Sequence, residues 1–405
     1  MKKVAVIGRG TAGAQAALHL NTWKANDYEV EWYFDDSIPT QSVGEGSTLP
    51  LPSNLCEQLG FTWSDLDKVG GTLKTGIYKR NWTEDGDHEF FHDFPPPVSS
   101  IHFQAKKLHA YILDSLQGKL KIEDKFIGSH DDIDADYIFD CGGRPKEITK
   151  KDFHISDYIS VNTAKVWQCY WDAPRFHHTL TIAGKYGWFF GIPLSNRLSI
   201  GYIYNRDFAT LEQIEEEAKS LFEEYNVVPS KDGNYIEFDS YWRLNNFNER
   251  VGYNGNSSFF LEPLEATSTA QMNLNQRKIY DMVVNNMSFK VANFSFHQEM
   301  QNTETVIMLH YLGNSFYKND FWEYANQKAN KKFESIKQNV IFKNIVEQLL
   351  PFSSNKGFHE NNINQEFGTW QPWSFIKHFN SLNLKSKLSK IFLTEDKKYE
   401  DANAA

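Results

Sequence analysis

Apolar residues at the start of the chain form a short run that leads into a glycine-rich turn and then a helical pattern. Lys2–Ile7 (KKVAVI) predicts a buried strand, GRGTAG predicts a turn, and Ala14–Trp23 predicts a helix directly after it. Glu29–Phe34 predicts a second strand, which ends at Asp35 and Asp36. The chain therefore opens with a β–α–β unit.

The rest of the chain alternates between short strand patterns and longer helical ones. β-Branched and aromatic residues cluster between turn residues in four predicted strands: Asp136–Cys141, Lys165–Trp171, Gly187–Pro193 and Arg197–Tyr204. Apolar residues recur at helical spacing in Leu211–Asn226 and from about Phe321 to Leu350. These patterns predict a mixed α/β (α+β) fold in which helices cover a mixed sheet.

Composition and charge exclude several classes of protein. The 405 residues are enough to bury one large core or two, and the net charge of −10 argues against binding nucleic acid or an anionic membrane through a basic surface. No apolar run approaches the roughly 18 residues of a membrane helix, and the N-terminal run is too short for a signal peptide. Cys56, Cys141 and Cys169 are too few and too far apart for a disulfide framework, so a cytoplasmic location is expected.

The GRGTAG turn has the form Gly8-x-Gly10-x-x-Gly13, and Asp35 ends the strand that follows. Glycines at these positions permit a tight turn and the close approach of a pyrophosphate to a helix N-terminus. An acidic residue at the end of the next strand can accept a hydrogen bond from a ribose hydroxyl. The pattern favours dinucleotide binding over a plain strand–helix turn, and it does not separate FAD from NAD.

A second candidate segment is FFLEPLEATSTAQMN. Pro263 suits the first turn of a helix, and Glu265 is expected in that turn, where the helix dipole stabilises a carboxylate. Two interpretations stay open: a well-formed helix start, or an anion site at the free N–H groups with Glu265 as a positioned base. In GGTLKTGIYKRNW, spacing alone favours a glycine-rich loop with a surface lysine, Lys74.

Other charged and imidazole side chains predict no further site. His88 and His92 have the spacing of metal ligands on a helix, but DHEFFHDFPPP predicts a solvated prolyl loop, and no metal is expected. Lys385, Lys387 and Lys390 alternate with leucines and predict the solvated face of a helix.

Four segments in this order resemble the flavin-dependent halogenases of the tryptophan halogenase family: GRGTAG, SVGEGSTLP with GGTLKTGIYKRNW, GWFFGIP, and PLEATS. DYIFDCGG and HYLGNSFYKNDFW are similar to further family segments, and the correspondence runs from residue 1 to about 325. The resemblance implies an FAD-binding, Rossmann-like core of the flavin monooxygenase type. It also implies a reduced helical substrate region, because the chain is shorter than usual members. Residues 1–345 are expected to form a discontinuous FAD-binding and halogenase module, and residues 346–405 a helical region with a frayed tail.

The same resemblance implies a two-component enzyme. A flavin reductase supplies reduced FAD, and O₂ and halide then yield hypohalous acid, which halogenates a small electron-rich aromatic substrate. Lys74 would hydrogen-bond or capture the hypohalous acid, and Glu265 would orient the electrophile or stabilise and deprotonate the cationic arene. Thr267 and Ser268 fall at the halide-binding positions. The residues expected to bind the cofactor are Gly8, Gly10, Thr11, Ala12, Gly13, Asp35, Trp188, Phe190, Ile192 and Pro193.

Two departures from the family pattern affect these expectations. The W-x-W-x-I-P motif reads WFFGIP, so Trp188, Phe189 and Phe190 are expected to separate substrate from flavin with one indole fewer. PLESTG reads PLEATS, which removes a hydroxyl at Ala266 and leaves the halide preference open. An aromatic monooxygenase and a non-catalytic dinucleotide-binding sensor stay as alternatives, and a homo-oligomer is left open.

Overall fold

The structure is a computed structural model that describes residues 1–24, 27–40, 45–94, 99–230, 233–352 and 366–393. Its helices, α1 to α10 in chain order, are Thr11–Trp23, Pro50–Leu59, Ala105–Leu116, Leu211–Glu224, Thr267–Val284, Phe289–Leu309, Asp320–Ser335, Val340–Leu349, Pro372–Ser381 and Lys385–Phe392. Within these ranges, no helix combines the length and the apolar character needed to cross a bilayer.

Eighteen strands accompany these helices. In chain order, β1 to β18 are Lys2–Ile7, Tyr28–Phe34, Thr72–Lys74, Gly76–Arg80, Glu89–Asp93, Ser100–His102, Lys121–Asp124, Tyr137–Asp140, Phe153–Ile155, Thr163–Tyr170, Thr179–Gly184, Gly187–Pro193, Arg197–Tyr204, Val228–Pro229, Asn234–Glu237, Tyr241–Arg243, Val251–Tyr253 and Phe259–Phe260. The predicted bounds of β1, β12 and β13 are confirmed.

A five-stranded parallel sheet forms the first layer, in the order β17-β8-β1-β2-β7. Helix α1 connects β1 to β2 and packs against α3 and α5. Parallel strands need such a crossover, and burial by helices suits the apolar β1. The carboxyl ends of β1 and β2 carry the glycine-rich turn and Asp35, which places both at one edge of the sheet.

The second layer is an eight-stranded sheet in the order β14-β10-β13-β12-β11-β4-β5, with β15 also paired to β10. One face packs under α4, where Phe189, Tyr202 and Ile214 share a separate hydrophobic core. The other face carries Trp188 and Ile203 in the main core. Alternation along β12 therefore sends Phe189 to the opposite face from Trp188 and Phe190.

Local capping explains where the observed helices differ from the expected ones. The helical stretch expected from Phe321 to Leu350 is two helices, because α7 ends before Ile336 and the Asn339 side chain caps α8 by accepting a hydrogen bond from the Phe342 N–H. The mixed α/β fold itself is confirmed.

The C-terminal part of the chain packs onto the main core. Phe342 of α8, Phe375 of α9 and Phe392 of α10 belong to the same buried cluster as β1. The expected division after residue 345 falls inside α8 and stays a prediction, and the expected frayed tail lies outside the described residues. Lys385 and Lys387 are half-buried and donate to the carbonyls of Phe352 and Leu312, so the expectation that their helix face is fully solvated is wrong.

Candidate active site

The glycine-rich turn is built for close backbone packing on one side and an open face on the other. Gly8 has φ +95°, and a Cβ there would lie 2.4 Å from the Cys141 carbonyl oxygen. A Cβ at Gly13 would lie 1.9 Å from the Gly8 oxygen, so helix α1 can pack here only without a side chain. A Cβ at Gly10 meets no described atom within 4 Å, which leaves room for a ligand beside the start of α1.

Asp35 stands at the end of β2 with its carboxylate held in place by Ser37. The Ser37 N–H and Oγ–H both donate to Asp35 Oδ1, at 2.8 and 2.6 Å. These hydrogen bonds lower the pKa of Asp35, which keeps the carboxylate ionised. The residue can therefore accept hydrogen bonds from a ligand hydroxyl.

A single cavity of about 540 Å³ connects this turn to the other predicted site residues. The predicted residues that line it are Gly8, Gly10, Thr11, Ala12, Asp35, Lys74, Trp188, Phe190, Ile192, Glu265 and Ser268. Three others do not line it. Gly13 packs against Gly8, Pro193 accepts a hydrogen bond from Thr72 Oγ1 through its carbonyl, and Thr267 is buried.

The aromatic side chains of β12 divide between two faces of the sheet. Trp188 and Phe190 line the cavity, with their rings 6.4 Å apart. Phe189 instead stacks on Tyr202 at 3.9 Å in the core under α4, so its expected place in a wall facing the cavity is wrong. The Trp188 indole donates to Glu262 at 2.6 Å, and burial raises the pKa of Glu262 to about 7.

Lys74 is buried at the end of β3, and it is not the surface lysine that spacing alone favours. Strand β3 pairs with β6, and Lys74 Nζ donates to the Ser47 carbonyl at 3.0 Å. Burial lowers the pKa of Lys74 to about 8; the Glu265 carboxylate raises this pKa and the Lys79 ammonium lowers it. The amine thus has both protonation states within reach near neutral pH.

Glu265 does not lie in the first helical turn as expected. Glu265 and Ala266 have φ of +67° and +54°, and α5 begins only at Thr267. Two consecutive residues with left-handed backbone conformation turn the chain sharply before the helix, so the Glu265 carboxylate is not part of the first turn of α5. No described side chain caps the start of α5, and Ser268 and Thr269 line the cavity there.

Four side chains that the sequence analysis left unassigned or set aside surround the Glu265 carboxylate. We call Lys79, His92, His310 and His378 the lysine–histidine cluster. Lys79 Nζ contacts Glu265 Oε1, His310 Nε2 lies 3.3 Å from the same oxygen, and His92 Nδ1 lies 3.5 Å from Oε2. The cluster is buried, and the rings of His378 and His92 are 4.7 Å apart.

The expectation of a solvated prolyl loop around His92 is wrong. Glu89–Asp93 forms β5, which pairs with β4, and the Ile77↔His92 and Lys79↔Phe90 pairs place these side chains on one buried face. His88 is exposed, as expected. Period-two alternation in GIYKR could have indicated that Lys79 points inward with Ile77, but the two other histidines are distant in sequence.

Comparisons with known proteins identify the family and the fold of the chain. A family model described as tryptophan halogenase matches residues 3–126 and 118–367. The fold resembles BrvH, a flavin-dependent halogenase from Brevundimonas sp. BAL3, with a TM-score of 0.75 and 18% identity over 96% of this chain and 94% of that chain. It also resembles the tryptophan 6-halogenase SttH from Streptomyces toxytricini, with a TM-score of 0.74 and 18% identity over 96% of each chain.

A third similar structure is Xcc4156, a flavin-dependent halogenase from Xanthomonas campestris, with a TM-score of 0.73 and 17% identity over 100% of this chain and 96% of that chain. At such identities the likeness shows a common fold. No curated protein matches the chain in sequence. Because the family model covers most of its length, the chain belongs to the tryptophan halogenase family, whose members are flavin-dependent enzymes.

Proposed function

We propose that this protein is a FADH2-dependent halogenase that uses O₂ and halide to form hypohalous acid and halogenates an electron-rich aromatic substrate. The observation that carries the proposal is the single cavity, which is lined both by the glycine-rich turn with Asp35 and by Lys74 with Glu265. A turn that suits a dinucleotide, together with a buried amine and carboxylate in the same cavity, suits a reagent that is made at one end of the cavity and used at the other.

The residues at the turn fit FAD. The open face of Gly10 leaves room for a pyrophosphate at the start of α1, and the ionised Asp35 can accept hydrogen bonds from a ribose. Reduced FAD bound there, supplied by a flavin reductase, would provide the electrons that convert O₂, halide and one proton into hypohalous acid and water. Trp188 and Phe190 line the cavity and can keep the arene from the flavin.

Lys74 and Glu265 divide the remaining chemistry between them. The Lys74 ammonium donates hydrogen bonds to the hypohalous acid and makes its halogen more electrophilic. The arene displaces hydroxide from the halogen, and water forms with the proton that the arene loses. Glu265 stabilises the cationic arene, and its low pKa favours this electrostatic role over that of a proton acceptor.

Halide is proposed to bind at the start of α5. The first N–H groups of a helix have no partner within the helix, and the helix dipole favours an anion there. Ser268 lies at this end and lines the cavity, whereas Thr267 is buried and contributes through its backbone.

The decisive experiment combines the full chain with a flavin reductase, FAD, NADH, bromide and indole or phenol, with mass spectrometry of the product. We expect bromide-dependent addition of bromine to the arene. Lys74→Met should abolish this product while FAD binding and peroxide release persist, because the aliphatic part of the side chain still fills its place. Lys107→Met, which changes an exposed lysine of α3, is the matched control.

Two results would contradict the proposal. Halogenation retained in Lys74→Met would remove the lysine from the mechanism. Oxygen added to the arene without dependence on halide would favour the aromatic monooxygenase instead.

A further inference from the structure

Lys79 is a fully buried lysine that does not line the cavity. It occupies an inward position of β4, on the same face as Ile77, and 0% of its surface is exposed. A buried ammonium is costly unless it is paired with an anion and hydrogen-bonded. The partners of Lys79 therefore define what it does.

The hydrogen bonds of His310 indicate which nitrogen of its ring carries the proton and how it contacts Lys79. His310 Nδ1 lies 3.2 Å from both the Val306 and Ile307 carbonyls, so this nitrogen carries the proton. His310 Nε2 then carries no proton, and its lone pair accepts a hydrogen bond from Lys79 Nζ at 2.7 Å. Since Glu265 Oε1 contacts the same Nζ, both acceptors converge on one ammonium group. His310 is therefore neutral, and burial lowers its pKa to about 4. Burial also lowers the pKa of Lys79, but the contact with the Glu265 carboxylate raises it and favours the charged form of both side chains.

The other two histidines of the cluster, His92 and His378, do not carry a positive charge beside the Glu265 carboxylate. His378 Nδ1 donates to the Ser374 carbonyl at 2.7 Å, and His92 Nε2 is hydrogen-bonded to Ser374 Oγ at 2.9 Å. Burial lowers the pKa of both imidazoles, and the nearby Lys79 charge adds to this effect. Glu265 acts in the opposite direction on His92, but the pKa of His92 stays below its usual value. His92 and His378 are therefore neutral polar groups beside the Lys79–Glu265 ion pair.

A metal ion is the competing occupant of this position. Ligand atoms of His92, Glu265 and His378 lie within 4.8 Å of one another. However, a divalent cation would sit beside the Lys79 ammonium and near Lys74, and Glu265 is the carboxylate that the described residues bring into contact with the cluster. The charge balance favours Lys79 as the cation for Glu265.

We propose that Lys79 is a positioning residue for halogenation, whose ammonium group holds the Glu265 carboxylate ionised and fixed at the cavity that it shares with Lys74. The proposal rests on the proposed function. Glu265 lines the cavity, and the Lys79 side chain does not. Lys79 extends from β4 and contacts the Glu265 carboxylate on the side away from the cavity. The left-handed backbone at Glu265 and Ala266 directs the carboxylate to this contact, and Lys79 secures it there.

A double-mutant cycle tests the charge pair without any turnover. Lys79→Met, Glu265→Gln and the double variant are compared with the wild-type protein by denaturant unfolding. Each single change leaves one buried charge without its partner, so we expect the double variant to lose less stability than the sum of the two single variants. Additive losses would overturn the pairing.

The pH profile of halogenation tests the positioning role. Burial without a cation raises the pKa of a carboxylate. In Lys79→Met, the rate relative to wild type should therefore fall about tenfold per pH unit below the raised pKa, and recover at alkaline pH. Removal of the Lys79 charge also raises the pKa of Lys74, but this change affects the alkaline side of the ratio and leaves the fall at acid pH to Glu265. Lys74, His92, His310 and His378 face Glu265 in both proteins.

Arg80→Met is the matched control for this profile. Arg80 is the next residue of β4, and it points to the other face, where it pairs with Glu224. Its loss should leave the pH profile unchanged. A loss of rate that is equal at every pH in Lys79→Met would indicate a merely structural lysine and overturn the proposal.

Two further results separate this proposal from the proposed function. If the wild-type protein halogenates no arene, coupling in the cycle would identify only a structural ion pair, and the positioning role would fail together with the proposed function. A stoichiometric divalent metal in the purified protein that is lost in His378→Ala would overturn the pairing alone.

Discussion

At the residue scale, the site depends on charged groups held away from water. Lys74, Lys79 and Glu265 are all buried. Burial lowers the pKa of both lysines; burial also acts to raise the pKa of Glu265, but the Lys79 ammonium and the hydrogen bonds of the nearby histidines bring it well below its usual range. Burial of an ammonium lowers the stability of the folded protein, and groups with shifted pKa values are typical of functional sites. Their pKa values can therefore be followed through stability as well as through activity.

Lys74 gives the clearest pH dependence. Its pKa falls from 10.5 to about 8 on folding, because of burial above all. Between pH 8 and 10.5 the unfolded chain binds a proton that the folded protein does not, so stability should rise with pH, by up to about 3 kcal/mol. Urea unfolding at pH 7, 9 and 10 should show this rise in the wild-type protein. The rise should be smaller in Lys74→Met, which keeps the other buried lysines, and parallel curves for the two proteins would contradict the assignment.

At the element scale, different glycines of the turn between β1 and α1 serve folding and ligand binding. Gly8 and Gly13 are required by the backbone contacts around them, whereas Gly10 has φ −64° and an open face. A Cβ at Gly10 therefore meets no described atom of the protein, and the backbone there suits any residue.

Gly10→Val should consequently fold with an unchanged melting temperature but fail to bind FAD, because the new side chain occupies the space beside the start of α1. Quenching of FAD fluorescence on titration measures the binding, and circular dichroism measures the melting. Gly8→Ala is the contrasting variant. Its left-handed backbone and the 2.4 Å approach to Cys141 predict a lower melting temperature. FAD binding retained in Gly10→Val would place the cofactor elsewhere.

Elements with a clear local pattern could be predicted from the sequence, and the surroundings of Glu265 could not. The alternation in β12 and β13 depends on neighbouring residues, so their bounds follow from the sequence. Strand β5 lies close to prolines and exists because it pairs with β4. The left-handed turn at Glu265 and Ala266 has no glycine to indicate it.

At the scale of the whole molecule, the lysine–histidine cluster unites distant parts of the chain. Lys79 comes from β4, His310 follows α6, and His378 lies on α9, about 300 residues from Lys79. Contacts at this separation have no local signal in a single sequence. The C-terminal region thus contributes directly to the surroundings of Glu265. Within this region, Trp370 packs on His378 with ring centroids 4.1 Å apart.

Trp370→Ala tests this contribution. The indole is buried beside His92, His310 and His378, so its loss should lower the free energy of unfolding by about 3–5 kcal/mol and admit water to the cluster. Water would weaken the pairing of Lys79 with Glu265, and we expect halogenation to fall while FAD binding at the distant turn is kept. Trp63→Ala, at an indole with 52% of its surface exposed, should change neither quantity. Unaltered halogenation per folded Trp370→Ala molecule would show that the C-terminal helices stabilise the protein without shaping its site.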